Sequence, residues 1–169
     1  RKEYLPDVLV DGIMAKKNLG TQISDAPLVI GIGPGFTAAG DCHFVIETQR
    51  GEHLGEVIRK GSAIHNTGIP GNIGGYTVER LLKASAVARI GDVVKKGQIV
   101  ARCGDEPVYA RLHGIVRGML QEGVPVKKGL KIGDVDARIE EKLCYTISDK
   151  ARKIGNGVAE AIDLVYKTK

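Results

Sequence analysis

One phrase is written twice in this chain. Gly91-Asp92-Val93-Val94-Lys95-Lys96-Gly97-Gln98-Ile99-Val100 returns as Gly123-Val124-Pro125-Val126-Lys127-Lys128-Gly129-Leu130-Lys131-Ile132, an offset of 32 residues. Each copy opens on Gly, places two apolar residues, turns at Lys-Lys-Gly and leaves on an alternating segment. Gly97 and Gly129 end the turns, where a residue without Cβ takes a positive φ at no steric cost. Two such copies imply two similar β-hairpins related by approximate two-fold symmetry, neither able to bury its apolar face alone.

Composition agrees with a turn-rich β protein. There are 23 Gly in 169 residues, about twice the usual share of roughly 7%, interspersed with β-branched residues and without strict period. With 43% hydrophobic residues the chain can build a core, and its length fits one domain or two small ones. A net charge of +5 with scattered Lys and Arg reads as a solvated surface, and no aromatic-basic motif points to nucleic acid. Cys42, Cys103 and Cys144 lie far apart, and no signal peptide is recognisable. This pattern favours free thiols in a reducing cytoplasm. No apolar run approaches the ~18 residues of a membrane span, and no metal-ligand spacing appears.

The Gly91-Asp92-Val94-Gly97-Gln98 phrase and the returning segment His113 to Gly129 resemble the biotinyl/lipoyl domains, the barrel-sandwich hybrids, over about residues 84 to 135. In those domains a Lys on the hairpin between the halves carries the cofactor. Here that place reads Arg102-Cys103-Gly104-Asp105-Glu106-Pro107, and no Lys occurs between Lys96 and Lys127. The expectation is therefore no biotin or lipoyl attachment. The fold class expected is mainly β (α+β), a barrel-sandwich hybrid with an added β-hairpin and Gly-rich region and a C-terminal helix. The organisation expected is 1–80 as a β-rich segment with two Gly-rich loops, 81–137 as the hybrid, and 138–169 as a strand plus a helix packing back.

Along the chain, Val8-Leu9-Val10 reads as a strand and Asp11 as the cap of a short helix over Gly12–Asn18. A turn at 24–27 precedes the apolar strand Leu28-Val29-Ile30, which runs into Gly31-Ile32-Gly33-Pro34-Gly35-Phe36. A dinucleotide fingerprint is poorly met there, since Pro34 removes a backbone donor and no helix follows. A loop for another anion or ligand and a purely structural turn both stay open. Residues 42–48 and 54–59 read as a hairpin. With Arg50-Gly51 as its loop, Phe44 faces Val57 and Cys42 faces Arg59, a cation that would favour the Cys42 thiolate. A small buried hydrophobe is the other reading of Cys42. The stretch 61–75, with five Gly, one Pro and two Asn, is a long irregular loop of the kind that tends to be functional or disordered. Ile64, Ile69 and Ile73 favour an ordered, ligand-facing loop. His65 within it is the histidine best placed for a role, a structural histidine being the other reading. Cys144-Tyr145-Thr146-Ile147 reads as a further strand. Ser148-Asp149 cap a helix whose apolar face is Ala151, Ile154, Val158, Ala161, Ile162 and Val165, with Gly155 and Gly157 serving close backbone approach.

Longer phrases span almost the whole chain: Ala15-Lys16-Lys17-Asn18, Gly33-Pro34-Gly35-Phe36-Thr37-Ala38, Asp41-Cys42-His43, Asn66-Thr67-Gly68-Ile69-Pro70-Gly71-Asn72-Ile73-Gly74-Gly75, and Leu130 to Asp136. With these the chain resembles the accessory proteins of selenium-dependent molybdenum hydroxylase systems (YqeB type). Members are usually longer, with an added amino-terminal region that looks dinucleotide-binding, so a fragment or trimmed homologue is the expectation. The resemblance implies a maturation role, with a molybdopterin-type cofactor or a selenium species as ligand and the hydroxylase or its maturation machinery as partner. Candidate ligand-binding residues are Gly33, Gly35, Phe36, Asn66, Thr67, Gly68, Gly71, Asn72, Gly74 and Gly75. Candidate reactive residues are Cys42, His43 and His65. A non-catalytic protein-interaction module, and an enzyme acting through Cys42 and His65, are the rival readings. The two Gly-rich loops are expected to meet and line one pocket.

Overall fold

The computed structural model describes residues 4–66, 81–82, 85–103, 105–124, 126 and 131–167. It is sheet-rich, with one long helix near its C-terminal end. The chain divides into two compact units, Arg1–Thr67 with Ser148–Lys169, and Gly68–Ile147. No helix among the described residues is long and apolar enough to cross a membrane.

In the first unit, β1 (Val8–Asp11), β2 (Leu28–Ile32), β4 (Phe44–Ile46) and β5 (Val57–Ile58) form one sheet in the order β1-β2-β4-β5. The first two ladders are parallel, Val8↔Leu28 and Ile30↔Phe44, and only β5 runs antiparallel. A parallel strand is covered on both faces and reads as an unbroken apolar run, as Leu28-Val29-Ile30 does. Leu28, Ile30 and Ile46 pack to one side with Leu54, Ile154 and Ala161. Val29 and Val45 point the other way, against Phe36, Ala38, Cys42 and Ala63. That second layer carries a small ribbon, β3 (Thr37–Ala38) paired antiparallel with β6 (Gly61–Ser62).

The helix expected over Gly12–Asn18 does not form. Met14 (φ 57°) and Lys16 (φ 66°) sit in the left-handed region, which no right-handed helix admits. Asp11 caps a loop: its Oδ1 accepts from Ile13 N–H (3.0 Å) and its Oδ2 from the Thr21 hydroxyl (2.6 Å). The hairpin register also differs from expectation. Val45 pairs with Ile58 and Ile46 with Val57, a slip of two that keeps each side chain on its face but removes Cys42 from Arg59. The connecting loop is longer than two residues because Leu54 turns inward to the core and Gly55 (φ +91°) bends the chain behind it.

Helix α2 (Asp149–Tyr166) begins as expected, with Ser148 Oγ accepting from Ala151 N–H at 3.1 Å. Ile154, Gly157 and Ala161 are buried, and Val158 and Ile162 pack beside them, while Ala151 and Val165 are exposed. A Cβ on Gly157 would stand 2.1 Å from Gly55 O, so backbone meets backbone there. Gly155 has open space around its Cβ position and serves no such contact.

The second unit holds β7 (Leu81–Leu82), β8 (Ser85–Ala86), β9 (Val93–Val94), β10 (Ile99–Cys103), β11 (Glu106–Tyr109), β12 (Gly114–Met119) and β13 (Gly133–Asp136). They form two open sheets, β11-β10-β8 and β7-β13-β12-β9, and no closed barrel among the described residues. Val94, Val100, Leu112, Val116 and Val135 are the centre of its core. The repeat is partly visible: Gly91 (φ +97°) and Gly123 (φ +83°) share the left-handed turn, and Val94 and Val126 pack into the same cluster. The turn at 127–130 lies outside the described residues. The strand expected at Cys144–Ile147 is instead the end of a short helix, α1 (Lys142–Tyr145), closed by Leu143 N–H to Glu140 O and Cys144 N–H to Glu141 O. Arg117 Nε donates to Leu143 O at 2.9 Å, holding that turn on β12. The fully buried Asp136 accepts from Arg138 Nε at 2.9 Å and lies 3.5 Å from Arg117, and the Arg138 hydrogen bonds hold its carboxyl below the ordinary value against the opposing cost of burial.

Candidate ligand cleft

In the first unit the chain that leaves β1, the chain that leaves β2 and the chain that leaves β6 come together. They line a cleft of about 510 Å³ with Lys16, Lys17, Asn18, Pro34, Gly35, Phe36, Thr37, Ser62, Ala63, His65 and Asn66. Two of its three walls therefore rise from the carboxyl ends of parallel strands. In open sheets with parallel strands that edge is where ligands bind, because loops there diverge from a rigid base.

Each wall has its own fixings. Asn18 Oδ1 accepts from Gly20 N–H and Thr21 N–H, both at 2.8 Å, and its Nδ2 donates to Thr21 O. With the Asp11 contacts this closes the lysine loop at both ends. The loop rests on Gly35: Asn18 N–H donates to Gly35 O at 3.1 Å, and a Cβ on Gly35 would stand 2.5 Å from the Lys17 backbone. Gly33 (φ +83°) donates its N–H to Ile46 O and would press any Cβ onto Thr48. The third wall is held by Glu47. Its side chain is 2% exposed, with Oε1 accepting from Thr48 and Gln49 N–H (2.7 Å each) and Oε2 from Ile64 N–H at 2.8 Å. Glu47 thus fixes the backbone immediately before His65.

The expected site residues separate into four sets. Gly35, Phe36, His65 and Asn66 are among the residues that line the cleft, Phe36 with only 4% of its surface exposed. Gly33 serves the scaffold instead, buried with its N–H occupied by Ile46 O. Cys42 and His43 are not among the lining residues. Thr67, Gly68, Gly71, Asn72, Gly74 and Gly75 lie outside the described residues.

Cys42 has none of the activation that the alternative register promised. It is fully buried, its Sγ lies 3.8 Å from Thr37 O, and burial pushes its thiol up to about 11, with Asp41 adding to the rise. His43 Nδ1 accepts from Val29 N–H at 3.0 Å, which leaves the ring proton on Nε2. Among the described residues no group of three or more His, Cys, Asp or Glu could hold a metal ion.

Sequence reading missed Lys16, Lys17, Thr37, Ser62 and Glu47. The signals were present: a Lys pair between Asp11 and Asn18, and an acid following the apolar strand residues Val45-Ile46. Both call for the parallel topology before they can be interpreted. No family model matches the chain, and no solved structure does. The chain is 49% identical over 166 residues, 95% of its length, to the "Uncharacterized protein YqeB" of Escherichia coli (strain K12). It spans 31% of that relative's length, and within that stretch the similarity supports the YqeB-type resemblance carried by the phrases above.

Proposed function

We propose that this chain is the ligand-binding part of an accessory factor that matures a selenium-dependent molybdenum hydroxylase in the cytoplasm. Its ligand, a molybdopterin-type cofactor or a selenium species, occupies the cleft lined by 16–18, 34–37, 62–63 and 65–66. One observation carries the reading. Loops from two parallel strand ends and a third loop pinned by Glu47 converge on a single concave site, which a purely structural turn does not need. Of the three candidate reactive side chains, His65 alone is at the cleft, so binding is favoured over chemistry through Cys42. The second unit is read as a biotinyl/lipoyl-like module without the attachment Lys, supported by the matched Gly91/Gly123 turns and the Val94/Val126 packing.

The test is complementation of a host lacking the full-length protein, with hydroxylase activity as the readout. Gly35→Val drives a side chain into the Lys17 backbone and should abolish maturation, whereas the control Gly155→Ala should support it fully. Normal maturation by the Gly35→Val protein would overturn the cleft reading. A second reading, a protein-interaction module, is favoured by the exposed Val87, Ile90, Val93 and Tyr109 of the second unit. Retention of the hydroxylase or its maturation machinery by the chain, lost on Val93→Asp and unaffected by Gly35→Val, would support it.

A further inference from the structure

The cleft has a chemical bias that goes beyond its shape. Its described lining contributes Lys16 and Lys17 and no carboxyl group. The acid in the neighbouring loop, Asp41, turns its Oδ2 to Thr37 N–H at 2.9 Å. Thr37 Oγ1 and Ser62 Oγ lie 3.1 Å apart across the β3–β6 ribbon. Two hydroxyls share one hydrogen bond between them, so the second proton is left for another acceptor. His65 and Asn66 complete the rim.

The lysines are presented under constraint. Lys16 is held at φ 66°, a conformation that strains a non-glycine residue and persists only where surrounding bonds enforce it. The Asp11 and Asn18 side chains and Gly35 O supply those bonds. A solvated loop with no duty toward a ligand has no need to be braced in this way.

We propose that the cleft receives a small organic phosphate monoester. Lys16 and Lys17 are its cations and the Thr37–Ser62 pair its neutral donors. The inference rests on the cleft being the ligand site and adds the class of ligand. Charge selects an anion, and mixed ammonium and hydroxyl donors suit the several acceptor oxygens of a phosphate. Size selects an organic ester over a bare oxyanion. A cleft of about 510 Å³ lies within the roughly 300–1,000 Å³ typical of small-molecule sites.

Titration calorimetry of the purified chain with inorganic phosphate and with phenyl phosphate tests this. Both should bind, phenyl phosphate more tightly, and affinity should fall as salt is raised. Lys16→Ala/Lys17→Ala should weaken binding by about tenfold or more, and Lys16→Arg/Lys17→Arg should restore most of it. An unchanged double-alanine variant, or no binding of either probe, overturns the proposal. Equal affinity for the two probes overturns the ester and leaves a site for free phosphate. The two readings fail separately. Absent phosphate binding with maturation still abolished by Gly35→Val removes only the ligand class. Phosphate binding with normal maturation in that variant removes the functional reading.

Discussion

Cys42 and Glu47 stand near the two ends of β4 and received opposite treatment from sequence reading. The cysteine drew attention because a cation was expected across the strand. Once the register slips by two, the same residue is a buried apolar atom with a thiol near 11. At pH 8 the folded protein should therefore leave Cys42 unalkylated by iodoacetamide while the part-exposed Cys144 reacts, as peptide mass spectrometry would read. Rapid labelling of Cys42 would return it to candidacy. Glu47 was passed over, although three backbone N–H groups depend on it, Thr48's buried and those of Gln49 and Ile64 part-buried. An unsatisfied buried donor costs about 1–3 kcal/mol, so Glu47→Ala should lower unfolding stability by about that amount and speed hydrogen exchange at the Ile64 amide. Retained protection at Ile64 would show that the clamp is dispensable. Asp136 gives the pH dependence. Its folded carboxyl lies below the ordinary value, so its contribution is full at neutral pH. The contribution diminishes as pH falls below roughly 4, the unfolded value, and is gone below the folded one. Asp136→Asn should flatten the acid limb of a plot of melting temperature against pH for the second unit.

Among elements, α2 was the most legible. A Ser-Asp start and an apolar stripe at helical spacing depend on neighbours three and four residues away, so local sequence suffices. The two glycines inside it were given one reason and have different situations. Gly157 lies against Gly55 O and Gly155 faces open space. Gly155→Ala should stabilise the first unit by up to about 1 kcal/mol through helix propensity. Gly157→Ala should destabilise it despite the same propensity gain, because its Cβ has nowhere to go. Denaturant midpoints for the pair check both signs. Less legible was the pairing direction of β1, β2 and β4. Apolar composition identifies a buried strand but not its partner, and the crossover 12–27, read as holding only a short helix over 12–18, lacks the long helical pattern that normally announces a parallel pair. The lysine loop could not be recognised as a cleft wall without that direction. The short α1 was misread because Cys-Tyr-Thr-Ile has strand composition, while its bonds are local and its place is fixed by Arg117 from β12.

At the scale of the molecule, the duplicated phrase falls in the β-rich second unit, and the first Gly-rich loop contributes Gly35 and Phe36 to the cleft of the other unit. The C-terminal helix expected to pack back does so on the first unit, which Ser148–Lys169 completes from beyond the whole of Gly68–Ile147. Truncation after Ile147 should leave Leu28, Ile30 and Ile46 without Ile154 and Ala161 and abolish the cooperative melt of the first unit, while the second unit keeps its own. Two intact transitions in the truncated protein would contradict this. The arrangement also bears on birth at the ribosome. Of the elements described, α2 emerges last, so the sheet that carries the cleft waits on the order of several seconds of translation for the helix that covers it. During that interval the intervening unit is free to fold, and the loops that line the cleft acquire their final footing only when the nascent chain has delivered α2.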